Sequence, residues 1–175
     1  LIDQFLNTAS NQRYDRWGGA VDNRIRFAVE VAKASVAAIG AERVGMRISP
    51  YGVFNGQVPD EEMDALYLRL IDELNALGLL YIHVVDHSAM GAPEVSPVLK
   101  AKIRAAFNGK YILSGGYDVA RANADLDAQR GDLVAFGRPF ISNPDLVAKL
   151  RSGQALVEPD SATFYTPGEK GYTDY

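Results

Sequence analysis

The sequence contains no cysteine among its 175 residues. A disulfide-stabilised scaffold is therefore excluded, and so are the zinc and iron–sulfur sites that depend on thiolate ligands. Because a chain without disulfides suits a reducing compartment, we expect a cytoplasmic protein.

The sequence also lacks an excess of positive charge and long apolar runs. Its 18 Lys and Arg residues stand against 22 Asp and Glu residues, and the resulting net charge of −4 gives no general affinity for nucleic acid or anionic lipid. No apolar stretch approaches the roughly 20 residues that cross a bilayer, and no charged and then apolar leader opens the chain. We therefore expect neither nucleic acid nor a membrane as a partner.

The composition that remains is typical of a globular protein. Apolar residues make up 47% of the chain and charged residues 23%. A chain of this length commonly forms one domain, so we predict a single domain over residues 1–175. The opening segment LIDQFL is apolar and has the pattern of an interrupted strand.

The periodicity of the sequence predicts alternating helices and strands. Apolar residues at helical spacing predict helices at 21–40, 58–78, 96–109, 118–131 and 143–153. Short apolar runs predict strands at 43–50, 80–86, 111–116 and 132–137. Strict alternation with short connections predicts parallel strands in βαβ units, in an open sheet or a closed barrel. Residues 154–175 lack periodicity and are expected to form a loop.

The last two predicted strands end in residues that suit an anion. One ends at Ser114, Gly115 and Gly116, and the other at Gly137 and Arg138. Ligands of parallel α/β folds bind beyond the carboxyl ends of the strands, where glycines allow close approach of the backbone and arginine matches phosphate oxygens. The alternative is that the glycines serve tight turns and the arginine is solvated. Because both motifs occur on consecutive strands, we favour a phosphate site.

An arginine interrupts the apolar strand predicted at 43–50. Alternation places Val44, Met46 and Ile48 on one face and Arg47 on the other. If the apolar face packs under the helices, Arg47 points to the inner face of the sheet, where a charge is costly without a strongly accepting partner. That partner is either an anionic ligand or an acid on a neighbouring strand, and the pattern leaves both open.

The two histidines and the acids are given structural interpretations. Were the strand to continue from His83 to His87, they would lie about 13 Å apart, too far to share one metal ion, so we predict no metal site. The acids between positions 60 and 64 are interpreted as first-turn residues that complement a helix dipole.

Five segments carry a more specific pattern. They are NQRYDRWGG…DNRIRF (11–27), VGMRISP (44–50), LSGGY (113–117), VAFGRPFISNPDL (134–146) and GYTDY (171–175). In this order and at this spacing they resemble the second half of an ene-reductase of the Old Yellow Enzyme family. The resemblance covers nearly the whole chain, and the first and last segments are its most specific parts.

The resemblance implies a fold and a reaction. The fold is α/β and is half of a (βα)₈ TIM barrel, with strands five to eight and their helices, completed by an N-terminal half. The implied cofactor is FMN, and NADPH or NADH is the hydride donor. The substrate is a small molecule with an activated C=C bond, an α,β-unsaturated carbonyl or nitro compound.

The resemblance also assigns roles to residues. The residues assigned to the FMN phosphate are Ser114, Gly115, Gly116, Gly137 and Arg138. Arg47 is assigned a catalytic and cofactor-binding place along the pyrimidine edge of the flavin ring. Tyr165 is assigned to the mouth of the pocket, as a contact of the flavin and the substrate.

Other functional residues of the family are absent from this sequence. The proton-donating tyrosine and the substrate-anchoring His/Asn or His/His pair belong before Leu1. We therefore expect the chain to act with a complementary N-terminal half-barrel, supplied by a second chain, a permuted segment or a cleaved precursor. One alternative is a non-catalytic half-barrel that serves as a binding or assembly subunit. Another is an isomerase or aldolase of phosphorylated sugars, for which the strand ends offer no Schiff-base lysine.

Overall fold

The computed structural model describes residues 1–174, so Tyr175, the last residue of the GYTDY segment, lies outside the described residues. The chain divides into two compact units, Leu1–Val134 and a second that begins at Ala135. The expectation of one domain over residues 1–175 stays a prediction, and each unit is described by itself.

Four short strands form one sheet. They are β1 (Gly45–Ile48), β2 (Tyr81–Val85), β3 (Lys110–Ser114) and β4 (Leu133–Ala135), in the order β1-β2-β3-β4. The β1–β2 and β2–β3 pairs are parallel, as the alternation of strands and helices predicts. Among the described residues, β1 and β4 form the two edges of the sheet.

Seven α-helices occur within residues 1–174. They are α1 (Ile2–Leu6), α2 (Val21–Ile39), α3 (Met63–Ala76), α4 (Pro97–Ala106), α5 (Val119–Asp127), α6 (Arg138–Ser142) and α7 (Leu146–Ser152). The five predicted helices are present, each shorter than predicted. None of the helices in this part of the chain is long and apolar enough to cross a membrane.

The opening segment was wrongly predicted as an interrupted strand. It forms α1, whose end is fixed when the buried Arg24 donates from Nε to the Leu6 carbonyl at 2.9 Å. The amide of Asn11 donates to the carbonyls of Phe5 and Trp17, both at 2.7 Å. Polar residues of the NQRYDRWGG…DNRIRF segment therefore build the connection between α1 and α2.

The start of α3 also differs from its prediction. Asp60 accepts hydrogen bonds from Thr8 Oγ1 at 2.7 Å and from the Glu62 backbone N–H at 3.0 Å, so this segment forms a turn. The helix begins at Met63, and among the acids at 60–64 only Asp64 lies within its first turn. The dipole interpretation is therefore wrong for Asp60, whose carboxylate holds the turn instead.

The core of the first unit lies between the sheet and helices α2, α3 and α4. Its apolar residues include Ile25, Leu70, Ile82, Leu99 and Ile103, all nearly fully buried. Burial along the first strand alternates as predicted: its apolar side chains are buried and Arg47 is exposed on the other face.

An ion pair anchors the turn after β2 to α4. Lys100 Nζ lies 2.5 Å from Asp86 Oδ2, and the Asp86 side chain is 3% exposed. Burial alone would raise the pKa of the Asp86 carboxyl, but hydrogen bonds from Lys100 and Ser88 outweigh it and lower the pKa below its ordinary value. The ionised pair therefore stabilises this turn at neutral pH.

We predict that Lys100→Met lowers the free energy of unfolding by about 2 to 3 kcal/mol at pH 7, because it leaves a buried carboxylate without its cation. Since the Asp86 pKa is depressed in the folded state, the contribution of the pair is fully present above about pH 4 and is lost as the pH falls through the folded pKa. Urea unfolding at several pH values measures the difference, which should shrink in acid.

The control is Lys102→Met, which removes an exposed lysine from the same helix. It should change stability by less than about 0.5 kcal/mol. Equal effects of the two substitutions at pH 7 would show that the Asp86–Lys100 pair does not anchor the turn.

Candidate functional site

The parallel register of the sheet aligns one row of side chains on the face opposite the core. Arg47 of β1 pairs in register with His83 of β2, and His83 pairs with Ile112 of β3. Neighbouring strands lie about 4.8 Å apart, so these three residues are adjacent on one face. The row places a permanent cation next to an imidazole close to the carboxyl end of the sheet.

Arg47 is exposed, and within residues 1–174 it forms no ion pair. A structural pair with an acid on a neighbouring strand, one of the two alternatives for this arginine, is not observed in the described chain. The guanidinium is therefore available to an anion or a strong acceptor on this face.

Both histidines are held in the neutral form. Burial lowers the pKa of His83, and the charge of Arg47 lowers it further. The same two causes, in the same order, lower the pKa of His87. The buried Nε2 of His83 has no hydrogen-bond partner among the described residues. On this face, the exposed guanidinium of Arg47 is thus the group available to a polar ligand, and a neutral imidazole lies beside it.

A pocket at the carboxyl end of β1 was not foreseen from the sequence. It has a volume of about 270 Å³, and Ser49, Gly52, Phe54 and His87 contribute to its lining. Phe54 and His87 meet edge to face, with ring centroids 5.0 Å apart. No apolar periodicity marks this loop, so only the position of Ser49 after a strand end could have indicated it. The described residues contain no group of three or more His, Asp or Glu side chains that could hold a metal ion.

The glycine pair after β3 forms a turn with unusual backbone angles. Gly115 has φ of 117° and Gly116 has φ of 61°, values that L-residues with side chains rarely adopt. A Cβ on Gly115 would lie 2.1 Å from the carbonyl oxygen of Asp86, so the turns after β2 and β3 pack directly on each other. Ser114, the last residue of β3, is half-buried in the same turn. These glycines therefore form a tight turn. This does not exclude a phosphate site, so the two interpretations of the glycine motif are compatible.

Gly137 and Arg138 lie in the second unit. Gly137 precedes α6 with ordinary negative φ, and no atom lies within 4 Å of the position of a Cβ there. Arg138 is the first residue of α6, is exposed, and forms no ion pair within the described chain. The sequence analysis predicted no helix between the strand at 132–137 and the helix at 143–153, although Pro139 lies at the helix start, where proline is common.

A buried asparagine organises the second unit. Asn143 is fully buried, donates from Nδ2 to the carbonyls of Pro139 and Val157 at 2.8 and 2.9 Å, and accepts from the Val157 N–H at 2.9 Å. The tail therefore returns to the end of α6. Tyr165, the predicted pocket-mouth residue, is 96% exposed in this unit and meets Phe164 edge to face.

Comparison with known proteins identifies the family of the chain. The model of the NADH:flavin oxidoreductase / NADH oxidase family matches residues 1–156. The chain belongs to this family, the Old Yellow Enzyme family. The resemblance of the five segments is thereby confirmed.

Relatives in the Old Yellow Enzyme family match the whole chain. A chanoclavine-I aldehyde reductase from Penicillium roqueforti is 42% identical over 183 residues, and 12-oxophytodienoate reductase 2 from Arabidopsis thaliana is 37% identical over 178 residues. These alignments cover 100% of this chain, and 49% and 47% of the relatives. The chain thus spans about half the length of the curated relatives it matches.

Solved structures of Old Yellow Enzyme relatives have the same fold. Morphinone reductase matches with a TM-score of 0.94 and 44% identity, over 100% of this chain and 47% of its own. The old yellow enzyme homologue from Zymomonas mobilis matches with a TM-score of 0.93 and 35% identity, over 100% of this chain and 50% of its own. The prediction of an α/β half-barrel is confirmed, because the chain matches about half of these barrels.

We predict that Gly115→Ala lowers the free energy of unfolding by about 2 to 4 kcal/mol, because a Cβ combines positive φ with a clash against the Asp86 backbone. Denaturant unfolding of the two proteins measures the difference.

The matched control is Gly137→Ala, since that position has negative φ and open space for a Cβ. It should leave stability within about 0.5 kcal/mol of the parent. A parent-like stability of Gly115→Ala would contradict the packing of the two turns.

Proposed function

We propose that the chain is part of an FMN-dependent oxidoreductase that reduces the activated C=C bond of α,β-unsaturated carbonyl or nitro compounds with NADPH or NADH. The observation that carries the proposal is the free, exposed guanidinium of Arg47 beside neutral His83, on the open face of a sheet of this family. The names of relatives support it, since they describe reductases and include morphinone reductase in complex with tetrahydroNAD.

The residues of the first unit fit the two ends of FMN. The glycine turn at 115–116 packs closely on its neighbours, and Gly116 is exposed, so the backbone of the turn is accessible to an anion. The exposed guanidinium of Arg47, in register with His83 of the neighbouring strand, offers hydrogen-bond donors to the carbonyl-rich edge of the flavin ring. When bound, FMN supplies hydride transfer from the nicotinamide to the alkene.

We assign the following parts to the side chains. Arg47 lies along the pyrimidine edge of the flavin, where a fixed positive charge favours the electron-rich form of the ring in a site of low dielectric. Burial, and after it the charge of Arg47, lower the pKa values of His83 and His87, so that neither adds a second positive charge. Tyr165 contacts the flavin and the substrate at the mouth of the pocket, as the family resemblance implies.

The phosphate of FMN is assigned to both glycine motifs. In the first unit, Ser114, Gly115 and Gly116 contribute the turn after β3. In the second unit, Gly137 leaves open space for an oxygen to approach the backbone, and Arg138 provides a fork of donors. The resemblance, and not a measured distance, joins the two motifs to one phosphate.

We further propose that activity requires an N-terminal half-barrel. Four parallel strands leave the edges β1 and β4 unpaired among the described residues, and such edges are closed by pairing in a barrel. The alternative, a non-catalytic half-barrel for binding or assembly, is favoured by the same open edges. Flavin absorbance of the purified protein separates the two, because an assembly subunit needs no flavin.

We predict that Arg47→Ala lowers the reduction potential of the bound flavin and slows its reduction by NAD(P)H about 100-fold, the cost of one preorganised electrostatic donor. Redox titration and stopped-flow absorbance measure the two effects in the protein with its complete barrel.

The control is Arg43→Ala, which removes an exposed arginine that pairs with Glu42 just before β1. It should leave both quantities unchanged. If Arg47→Ala also matched the parent in potential and rate, Arg47 would have no catalytic part, and the proposed function would lose its main support.

We predict that native mass spectrometry finds this sequence together with the first four strands of the barrel, either as a complex with a second polypeptide or within one longer chain. The reason is that the open edges and the inner face need a partner. A well-folded monomer of this chain alone, without the missing strands, would contradict the requirement. Alkene reduction by that monomer would also remove the catalytic role from the missing half.

A further inference from the structure

An arginine outside the assigned site contacts the glycine turn from the helix side. Arg121 lies in the first half of α5, and its Nη1 donates to the Gly115 carbonyl at 3.2 Å and, at a longer 3.5 Å, to the Gly116 carbonyl. Its guanidinium carbon is 4.2 Å from the centroid of the Tyr117 ring. One side chain therefore contacts three consecutive residues of the turn.

These contacts fix the direction of two backbone N–H groups. The peptide bonds are trans, so each carbonyl points opposite to the N–H of the same peptide plane. With the Gly115 and Gly116 carbonyls directed to Arg121, the N–H groups of Gly116 and Tyr117 point away from it. Within residues 1–174 neither N–H group donates a hydrogen bond. Two successive free N–H groups in a turn with positive φ form an anion-binding nest.

A chain of hydrogen bonds holds Arg121 in place. The Tyr117 hydroxyl donates to Asp125 at 2.7 Å, and Asp125 accepts from Arg130 at 2.6 Å. Burial would raise the pKa of Asp125, but these bonds outweigh it and lower the pKa, so the carboxylate is ionised at neutral pH. Asp118 caps α5 by accepting from the Arg121 N–H at 2.7 Å. Both the backbone and the ring under the guanidinium are thereby fixed.

We propose that Arg121 is a positioning residue: it orients the Gly115 and Gly116 peptide planes so that the nest of Gly116 and Tyr117 N–H groups faces the phosphate of FMN. The proposal rests on the proposed function for the identity of the anion. Its charge contributes less than its geometry, because the guanidinium lies on the opposite side of the peptide planes from the nest.

The test compares two flavins that differ only in the phosphate. In the protein with its complete barrel, Arg121→Leu should raise the Kd of FMN about tenfold, as loss of a supporting contact commonly does, and leave the Kd of riboflavin unchanged. Arg121→Lys should recover most of the FMN affinity, to within about threefold of the parent, since an ammonium still reaches one carbonyl.

The matched control is Arg104→Leu. Arg104 lines the same cleft between α4 and α5 but pairs with Asp132 and contacts no glycine carbonyl. The change removes an equal charge and should leave both Kd values unchanged. Equal losses of FMN affinity in the two leucine variants would assign the effect to distant charge and overturn the proposal.

Other outcomes are equally decisive. If Arg121→Leu loses affinity for FMN and riboflavin equally, Arg121 has only a structural role and the proposal is overturned. An unchanged Kd of FMN in Arg121→Leu would also overturn it. If Arg121→Leu does not fold, Arg121→Ala takes its place, because alanine also lacks a donor to the glycine carbonyls and position 121 is exposed. A raised FMN Kd with an unchanged riboflavin Kd in Arg121→Ala supports the proposal, and a parent-like FMN-to-riboflavin ratio overturns it.

An NMR titration with inorganic phosphate separates this proposal from the proposed function. On addition of phosphate, the backbone amide signals of Gly116 and Tyr117 should shift in the parent protein and should not shift in Arg121→Leu. If the parent binds neither flavin, the proposed function fails, and these amide shifts decide the part of Arg121 by themselves.

Discussion

Parallel pairing of β1, β2 and β3 in one register is the constraint on which the rest of the structure depends. It puts the carboxyl ends of the strands at one edge, and it places Arg47, His83 and Ile112 side by side on the face away from the helices. A shift of one residue in β1 would move Arg47 into the apolar layer, where its charge would meet Ile82 and Leu70. The burial of the apolar side chains of β1 therefore fixes the register, and the register presents the arginine.

The charges around the strand ends are divided between the two sides of the sheet. On the helix side, Asp86 is paired with Lys100, and Asp125 accepts hydrogen bonds from Tyr117 and Arg130. These charged groups are therefore neutralised by partners that stabilise the turns. On the inner face, Arg47 has no acid within the described chain. This asymmetry leaves unbalanced positive charge on the face where we propose that the flavin ring binds.

The sequence predicts the fold better than it predicts the surroundings of the site. Apolar periodicity locates each strand and the five longer helices, because burial of one face is a local and repeated signal. It fails for the segment at 1–6, where four apolar residues among six do not distinguish a strand from the short helix that Arg24 caps. It also fails for Asp60 and Asp86, whose partners lie on other elements, and such long-range pairs leave no periodic trace.

The glycine turn illustrates why a motif supports two interpretations at once. Gly115 is required because a side chain would clash with Asp86, a packing reason that would apply in a barrel without any ligand. In the same turn, the carbonyls of Gly115 and Gly116 accept hydrogen bonds from Arg121. The N–H groups of Gly116 and Tyr117 have no hydrogen-bond partner in the described chain. Packing thus sets the backbone angles, and those angles leave the free N–H groups that we propose bind the anion. A glycine pair read from sequence alone cannot separate the two, since one geometry provides both.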